Sequence, residues 1–228
     1  MFSLSEPEIA ALLLSLKVAS CSTLLSCLPA ILLGYVLARY EFIGKTLLDG
    51  LIHLPLVLPP IVPGYLLLLC LGKQGIIGQY LYQQFGISFV FTWQGAVIAS
   101  MLMAFPLMVR SVRLSMSSID SRLEQAAKTL GANNIVVFFS ITLPLSASGI
   151  LAGAVLAFSR SLGEFGATIT FVGNIEGETR TLPLAIFTAT QNPYGDEQAL
   201  RMVILSVLLA LGALALSGYL TKKLPSYY

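Results

Sequence analysis

The tripeptide Gly44-Lys45-Thr46 has the residue types that end a phosphate-binding loop, in which backbone amides and a lysine hold the phosphates of a nucleotide. That motif requires a glycine five residues before Gly44, but this position is Arg39. No apolar β-strand leads into the tripeptide, which follows an apolar segment of membrane-spanning length. The pattern therefore predicts a turn at a helix end and not a nucleotide site.

The sequence contains no pattern for hydrolysis or metal binding. It lacks H-E-x-x-H and G-x-S-x-G, and its single histidine, His53, excludes a histidine-rich site. Its three cysteines, Cys21, Cys27 and Cys70, lie in apolar segments without metal-ligand spacing, so we interpret them as small hydrophobic residues. We expect no catalytic residue, no cofactor and no metal site, so any hydrolysis must be supplied by another polypeptide.

Charge is concentrated in one segment instead. The chain carries 13 basic and 11 acidic residues, and six of these lie between Arg110 and Lys128. Within this segment Ser121 and Glu124 have the spacing of a capping box, which predicts a helix start. Gly131 is placed to end that helix in a left-handed turn.

The predicted helix is amphipathic. The residues that recur at the spacing of one apolar face are Leu123, Ala126, Ala127 and Leu130. The residues on the opposite, polar face are Arg122, Glu124, Gln125 and Lys128. A helix of about nine residues is marginal in water by itself. We therefore expect its apolar face to dock, either on the rest of the chain or on a partner.

The same segment resembles the EAA loop of the permease subunits of ATP-binding-cassette importers. That signature is E-A-A, three residues, a glycine, nine residues and I-x-L-P. Here Gln125-Ala126-Ala127, Gly131 and Ile141-Thr142-Leu143-Pro144 stand at these spacings, with Gln125 at the glutamate position and Glu124 before it. The resemblance implies a cytoplasmic coupling loop, residues 111–135, that binds a separate ATPase subunit. Its coupling residues would be Glu124, Gln125, Ala126, Ala127, Leu130 and Gly131.

Two further stretches are candidates for a substrate path. In residues 53–72, HLPLVLPPIVPGYLLLLCLG, four prolines within nine positions predict a broken or kinked helix, because each proline removes a backbone hydrogen bond. Residues 161–186 contain several glycines and Glu164 near membrane depth, where an ionisable residue suggests function. Helix packing and a solvated outer loop remain the alternatives. The candidate path or gate residues are Pro59, Pro60, Pro63, Gly64, Gly163, Glu164 and Gly166.

These two stretches resemble the permease subunits of molybdate importers, and the resemblance extends over nearly the whole chain. Sulfate permeases have a similar loop, but the LPLVLPP run resembles the molybdate branch more closely. The resemblance implies import of molybdate, and plausibly of tungstate, with sulfate as the alternative substrate. It also implies the partners: two copies of an ABC ATPase subunit, a periplasmic molybdate-binding protein, a second copy of this chain as a homodimer, and membrane lipid.

The composition identifies the class of protein that must position these residues. Hydrophobic residues make up 56% of the chain, charged residues 11%, and the mean hydropathy is +0.85; a soluble domain carries about 25% charged residues. Apolar segments predict spans near residues 12–38, 50–71, 91–109, 136–158 and 202–221, with an irregular or re-entrant region at 160–200. We expect one all-α polytopic membrane domain, residues 1–228, with five to six transmembrane helices. The resemblance implies the type I ABC importer permease fold.

The basic residues predict how the chain is threaded, because cytoplasmic loops are enriched in them. Segments 39–49, 110–134 and 222–228 hold eight, whereas 1–11, 73–92 and 160–200 hold three, or five with Lys17 and Arg201. We therefore expect the N-terminus outside and the C-terminus in the cytoplasm of a bacterial inner membrane. A net charge of +2 gives no reason to expect nucleic acid. A secondary transporter is a weaker alternative, because the sequence shows no internal repeat and the span centres carry no charge.

Overall fold

The computed structural model of this protein describes residues 4–223, with the backbone alone for residues 216–223. Every regular element in this range is a helix, which confirms the all-α class. The four long helices are α1 (Glu6–Arg39), α5 (Trp93–Ser117), α9 (Ala147–Leu162) and α12 (Asp196–Lys223). The shorter ones are α2 (Lys45–Val57), α3 (Ile61–Leu71), α4 (Gly78–Phe85), α6 (Ser121–Thr129), α7 (Asn134–Val137), α8 (Leu143–Leu145), α10 (Gly166–Val172) and α11 (Leu182–Thr190). A π-helix, Phe138–Thr142, joins α7 to α8, and the end of the predicted cytoplasmic tail, residues 224–228, lies outside the described range.

Three helices are each long and apolar enough to cross a bilayer: α1, α5 and the part of α12 up to Ala215. Two bent units add further candidates, since α2 with α3 and the α7–α8 segment with α9 pass the same test as pairs. The bends measure 113° and 65°. The described residues thus contain three to five candidate spans, and the polytopic class is confirmed. With seven and nine residues, α10 and α11 are too short to cross by themselves.

The proline-rich segment is broken, as its sequence predicts. Leu58, Pro59 and Pro60 separate α2 from α3. Pro63 lies in the first turn of α3, where a missing N–H group is tolerated because the helix does not use it. The chain changes direction by 113° at this point, so α3 does not continue the axis of α2.

The centre of the molecule is formed by α5, which packs between α1 and α9. Gly34 of α1 lies so close to α5 that a Cβ atom there would be 2.6 Å from Val112 Cγ1. A Cβ atom on Gly153 of α9 would be 3.0 Å from Ser111 Cβ, and Ser111 Oγ donates a hydrogen bond to the Gly149 carbonyl at 2.8 Å. The small residues of α9 therefore allow two helices to approach closely.

The irregular region at 160–200 folds into α10 and α11, and α11 packs against α1 and α12. The Leu182 N–H group donates to Ser15 Oγ of α1 at 2.6 Å. Nearby, the buried Glu8 side chain at the start of α1 pairs with Arg201 of α12, with 3.1 Å between Oε1 and Nη2. These contacts join α11 and α12 to the half of α1 that is remote from Arg39.

Candidate functional site

The helix α6 begins at a different cap from the predicted one. Asp120 Oδ1 accepts a hydrogen bond from the Arg122 N–H group at 2.9 Å, so Asp120 is the N-cap. The predicted capping box of Ser121 and Glu124 is wrong, because the Glu124 carboxylate binds other residues. The predicted end of the helix is confirmed: Gly131 has a φ angle of +91°, which glycine adopts at little cost.

Two other parts of the chain hold the Glu124 carboxylate. Its Oε1 atom accepts a hydrogen bond from Arg39 Nε at 3.0 Å and lies 2.8 Å from Arg39 Nη2. The same oxygen accepts a hydrogen bond from Thr142 Oγ1 at 2.7 Å, and Thr142 is fully buried in the π-helix. We call Arg39, Glu124 and Thr142 the polar clamp, because they tie α6 to the end of α1 and to the π-helix.

The polar clamp orients α6 so that its apolar face points away from the rest of the chain. Glu124 is the one buried residue of this helix, whereas Leu123 is 50% exposed and Leu130 is 88% exposed. Glu124, which the sequence places on the polar face of the helix, is therefore buried, whereas Arg122, Gln125 and Lys128 of that face are exposed. In this conformation α6 does not dock its apolar face on its own chain, which leaves that face free for a partner.

More apolar side chains are exposed directly after α6. Ile135, Val136 and Phe139 are all exposed, and together with Leu123 and Leu130 we call them the docking face. A polar hollow of about 260 Å³ lies at the clamp, and it is lined in part by Tyr35, Arg39, Tyr40, Ser121, Gln125 and Lys128. An apolar surface with a polar hollow nearby is suited to binding another protein.

The two stretches predicted to line a path meet where α3 packs on α10. A Cβ atom on Gly64 would lie 2.7 Å from the Ala167 carbonyl oxygen, and one on Gly166 would lie 2.6 Å from Pro60 Cβ. Any larger residue at Gly64 or Gly166 would therefore push the two helices apart. We call this contact the α3–α10 crossing. It brings together Pro60, Gly64 and Gly166, which the sequence identified separately.

Glu164 lies next to this crossing with its side chain buried. Its Oε1 atom accepts a hydrogen bond from the Ala167 N–H group at 2.8 Å, and its Oε2 atom lies 2.7 Å from Arg160 Nη1. The carboxylate is therefore paired, as a buried charge near membrane depth must be. Of the other predicted residues, Pro63 is buried, whereas Pro59 and Gly163 are exposed.

The Gly44 tripeptide lies in a turn at the start of α2. Gly44 has a φ angle of +95° and precedes α2, and Lys45 pairs with Glu41 at 2.6 Å, so the predicted helix-end turn is confirmed.

Arg39 and Thr142 were not predicted from the sequence as partners of Glu124. The signals were available, since Arg39 ends a long uncharged segment and Thr142 lies inside the I-T-L-P motif.

Comparison with known proteins identifies the family of this chain. Residues 30–225 match the family described as binding-protein-dependent transport system inner membrane component. The molybdenum transport system permease protein ModB of Haemophilus influenzae is 57% identical over 217 residues, covering 95% of each chain. ModB of Escherichia coli (strain K12) is 55% identical over 219 residues, covering 96% of each chain. The sulfate transport system permease protein CysT of Salmonella typhimurium is 37% identical over 209 residues, covering 91% of this chain and 75% of CysT.

Solved structures share the fold. A bacterial ABC transporter involved in the import of the acidic polysaccharide alginate has a TM-score of 0.79 at 16% identity, covering 98% of this chain and 82% of that chain. A bacterial alginate ABC transporter in complex with an alginate pentasaccharide-bound periplasmic protein has a TM-score of 0.78 at 18% identity, covering 96% and 80%. At such identities the likeness establishes the fold alone, and it confirms the importer permease fold. The chain therefore belongs to the family of binding-protein-dependent transport system inner membrane components.

Proposed function

We propose that this chain is the membrane-spanning subunit of an ATP-binding-cassette importer that carries molybdate into the bacterial cytoplasm. The observation that carries the substrate assignment is the 57% identity to a molybdenum transport permease over 95% of both chains. Tungstate has the same charge and tetrahedral shape as molybdate, so we expect it to be accepted as well. Sulfate is the second candidate, and the 37% identity to a sulfate permease supports it less strongly.

In this proposal a separate ATPase subunit hydrolyses ATP and binds α6. The docking face supports this role, because a short helix with an uncovered apolar face is suited to insertion into a groove of a partner. A polar hollow at the clamp would accept polar side chains of the same partner. The exposed coupling residues would contact the ATPase, and the buried Glu124 would orient the helix. The proposed coupling residues are Glu124, Gln125, Ala126, Ala127, Leu130 and Gly131.

We place the substrate path along the α3–α10 crossing, which then acts as a gate. The absence of side chains lets Gly64 approach the backbone of Ala167 and lets Gly166 approach the Pro60 ring, so a small relative movement would open or close a path for an anion. The nucleotide state of the ATPase would select between the two positions. The proposed path or gate residues are Pro59, Pro60, Pro63, Gly64, Gly163, Glu164 and Gly166.

The path requires a second wall, and we propose that a second copy of the chain provides it. In support, α2 has no buried residue in the single chain, and its apolar side chains Leu47, Leu51 and Val57 are exposed. These side chains would face the second copy or lipid. Two ATPase subunits would then bind the cytoplasmic side of the homodimer, and a periplasmic molybdate-binding protein would deliver substrate to the outer side, near the N-terminus.

The test is reconstitution of the complete system. The chain is co-expressed with candidate ATPase subunits, purified, and placed in liposomes together with the loaded binding protein. We expect an ATPase subunit to co-purify and molybdate to accumulate only with ATP, faster than sulfate in the same assay. Uptake that needs an ion gradient and not ATP would contradict the proposal and indicate a secondary transporter.

A further inference from the structure

We infer that the polar clamp makes α6, the Arg39 end of α1 and the π-helix move as one rigid body, with Glu124 as the positioning residue. The ATPase would push on the outward face of α6, and the clamp on its inward face would pass this movement to two membrane helices at once. This inference rests on the proposed coupling role of α6, and it assigns to Glu124 a role different from contact with the ATPase.

Apart from the polar clamp, α6 has few contacts that tie it to other helices. Among the described residues, Glu124 is the one α6 side chain with a hydrogen bond to another helix. Thr129 Oγ1 bonds within α6, to the Ala126 carbonyl. Short connections at residues 118–120 and 130–133 join α6 to α5 and α7. Without the polar clamp, these connections alone would set the direction of the helix.

The geometry of the polar clamp favours a rigid connection. One carboxylate oxygen receives Arg39 and Thr142 together, at 2.8 to 3.0 Å and 2.7 Å. Arg39 Nη2 is also 3.4 Å from the Ile119 carbonyl, just before the N-cap of α6. Hydrogen bonds between charged groups are shorter and stronger than neutral ones, and the guanidinium group is planar, so the contact fixes an angle as well as a distance.

The polar clamp lies where α1, the π-helix and α5 come together. Tyr35 of α1 packs edge-on against Phe138 of the π-helix, with 4.8 Å between the ring centres. Gly34 contacts Val112 of α5 at almost the same level of α1. A π-helix is rare and is frequently found at functional sites. A movement of α6 therefore has a short, continuous route into α1 and into the segment that leads to α9.

The experiment measures coupling, the amount of molybdate imported per ATP hydrolysed, in the reconstituted complex. Glu124→Gln keeps the shape of the side chain but removes its charge, and Thr142→Val removes one donor while Thr142→Ser keeps it. We expect Glu124→Gln to bind the ATPase and to hydrolyse ATP, but to import about tenfold less molybdate per ATP, because α6 is no longer held to α1 by a charged contact. A tenfold change corresponds to about 1.4 kcal/mol. Thr142→Val should show a smaller loss, and Thr142→Ser should behave like the natural protein.

Glu41→Gln is the matched control. Glu41 also pairs with a basic residue, Lys45, in the connection that follows α1, but its side chain is 89% exposed. An exposed pair contributes about 0–1 kcal/mol, so this variant should keep full coupling. Normal coupling in both Glu124→Gln and Thr142→Val would overturn the inference.

A cross-link tests the rigid body while leaving the polar clamp in place. Tyr40 and Lys128 line the same hollow, one after α1 and one on α6. In a chain without its three natural cysteines, Tyr40→Cys and Lys128→Cys are joined by a short bis-maleimide reagent. Because both positions line the hollow that we propose binds the ATPase, coupling is measured only in cross-linked complexes that keep the ATPase bound, and it is compared with the unlinked double-cysteine variant. If the two parts move together, the amount of molybdate imported per ATP is the same in both samples. Loss of coupling in cross-linked complexes that still bind the ATPase would show that the two parts must separate, and this result holds even if Glu124→Gln fails to accumulate in the membrane.

Different results would contradict the proposed function and the rigid-body inference. A natural complex that binds no ATPase, or that imports no oxyanion with ATP, would contradict the proposed function. A natural complex that works, with clamp variants that couple normally or a cross-link that stops it, would contradict the rigid-body inference alone.

Discussion

The Glu124 carboxylate binds Arg39 and Thr142 in place of water, and these contacts determine which side of α6 stays exposed. Removing a carboxylate from water costs several kcal/mol unless partners of good geometry replace the water. Because both partners belong to other helices of the chain, α6 turns Glu124 inward and leaves Leu123 and Leu130 exposed. The acidic residue beside the glutamate position of the EAA signature thus anchors the helix, and its exposed neighbour Gln125 is neutral.

Gly131 allows a test of the end of α6. Its φ angle is +91° and open space surrounds the position of a Cβ atom, so Gly131→Ala adds backbone strain of about 1–2 kcal/mol without a clash. We expect severalfold lower uptake from Gly131→Ala, and loss of uptake from Gly131→Pro because proline fixes φ near −65°. Both variants should reach the membrane at normal levels.

Gly86 is the control for this strain. It has a φ angle of +66°, also with open space, at the end of α4 and far from α6 in sequence. Gly86→Ala should therefore keep uptake near the natural rate. Equal uptake by Gly131→Pro and the natural chain, at equal expression, would count against a coupling role for α6.

Among the elements, the predictable features are the ones that local chemistry controls. The break between α2 and α3 follows from prolines, and the end of α6 follows from a glycine in the left-handed region. The capping box of α6 was predicted wrongly, because Arg39, which lies 85 residues before Glu124, binds the carboxylate that the box requires. The contact of Gly64 with Ala167 likewise joins distant parts of the chain. No spacing rule encodes such contacts, so the candidate residues were found but their arrangement was not.

The α3–α10 crossing can be tested by adding a single methyl group. Gly64→Ala would place Cβ about 2.7 Å from the Ala167 carbonyl oxygen, which forces α3 and α10 apart. Overpacking of this kind costs about 1–3 kcal/mol, so we expect uptake to fall roughly tenfold. Gly212→Ala in α12 meets open space and should leave uptake unchanged. A fully active Gly64→Ala variant would argue against a gate at this crossing.

The docking face can be tested by adding a charge. Leu130 is 88% exposed, so Leu130→Glu should change the stability of the isolated chain by no more than about 0.5 kcal/mol. In the complex the carboxylate would be buried against the ATPase without a partner, and co-purification of that subunit should fall at least about tenfold. Ile43→Glu, at another exposed position in the loop before α2, serves as the control and should co-purify the ATPase normally.

At the scale of the whole molecule, polar contacts hold the two ends of α1 in different ways. The Arg39 end carries the polar clamp, which connects α6 to the membrane helices. The other end carries the buried pair of Glu8 and Arg201, which connects α1 to α12. Between them α1, α5 and α9 pack closely through small residues. This arrangement suits a subunit that receives force at one face and meets a delivery protein at the other.

The Glu8–Arg201 pair predicts a stability effect. Glu8→Gln leaves Arg201 without its buried partner, and we expect the free energy of unfolding to fall by about 2 kcal/mol, since Arg201 is itself partly exposed. Glu197, which lies 4.0 Å from Arg201 but is 95% exposed, provides the control, and Glu197→Gln should have no measurable effect. Thermal unfolding in detergent compares the two, and equal melting temperatures would contradict the structural role of this pair.

The central claim is that α6 inserts into a separate nucleotide-hydrolysing subunit, and photo-cross-linking from position 130 tests it most directly. A photoreactive amino acid replaces Leu130 in the intact importer, in its native membrane, and the cross-linked product is identified by mass spectrometry. We predict a cross-link to the ATPase subunit at the cytoplasmic face, with far less product from position 43. Cross-links that reach only periplasmic proteins or lipid would contradict the account.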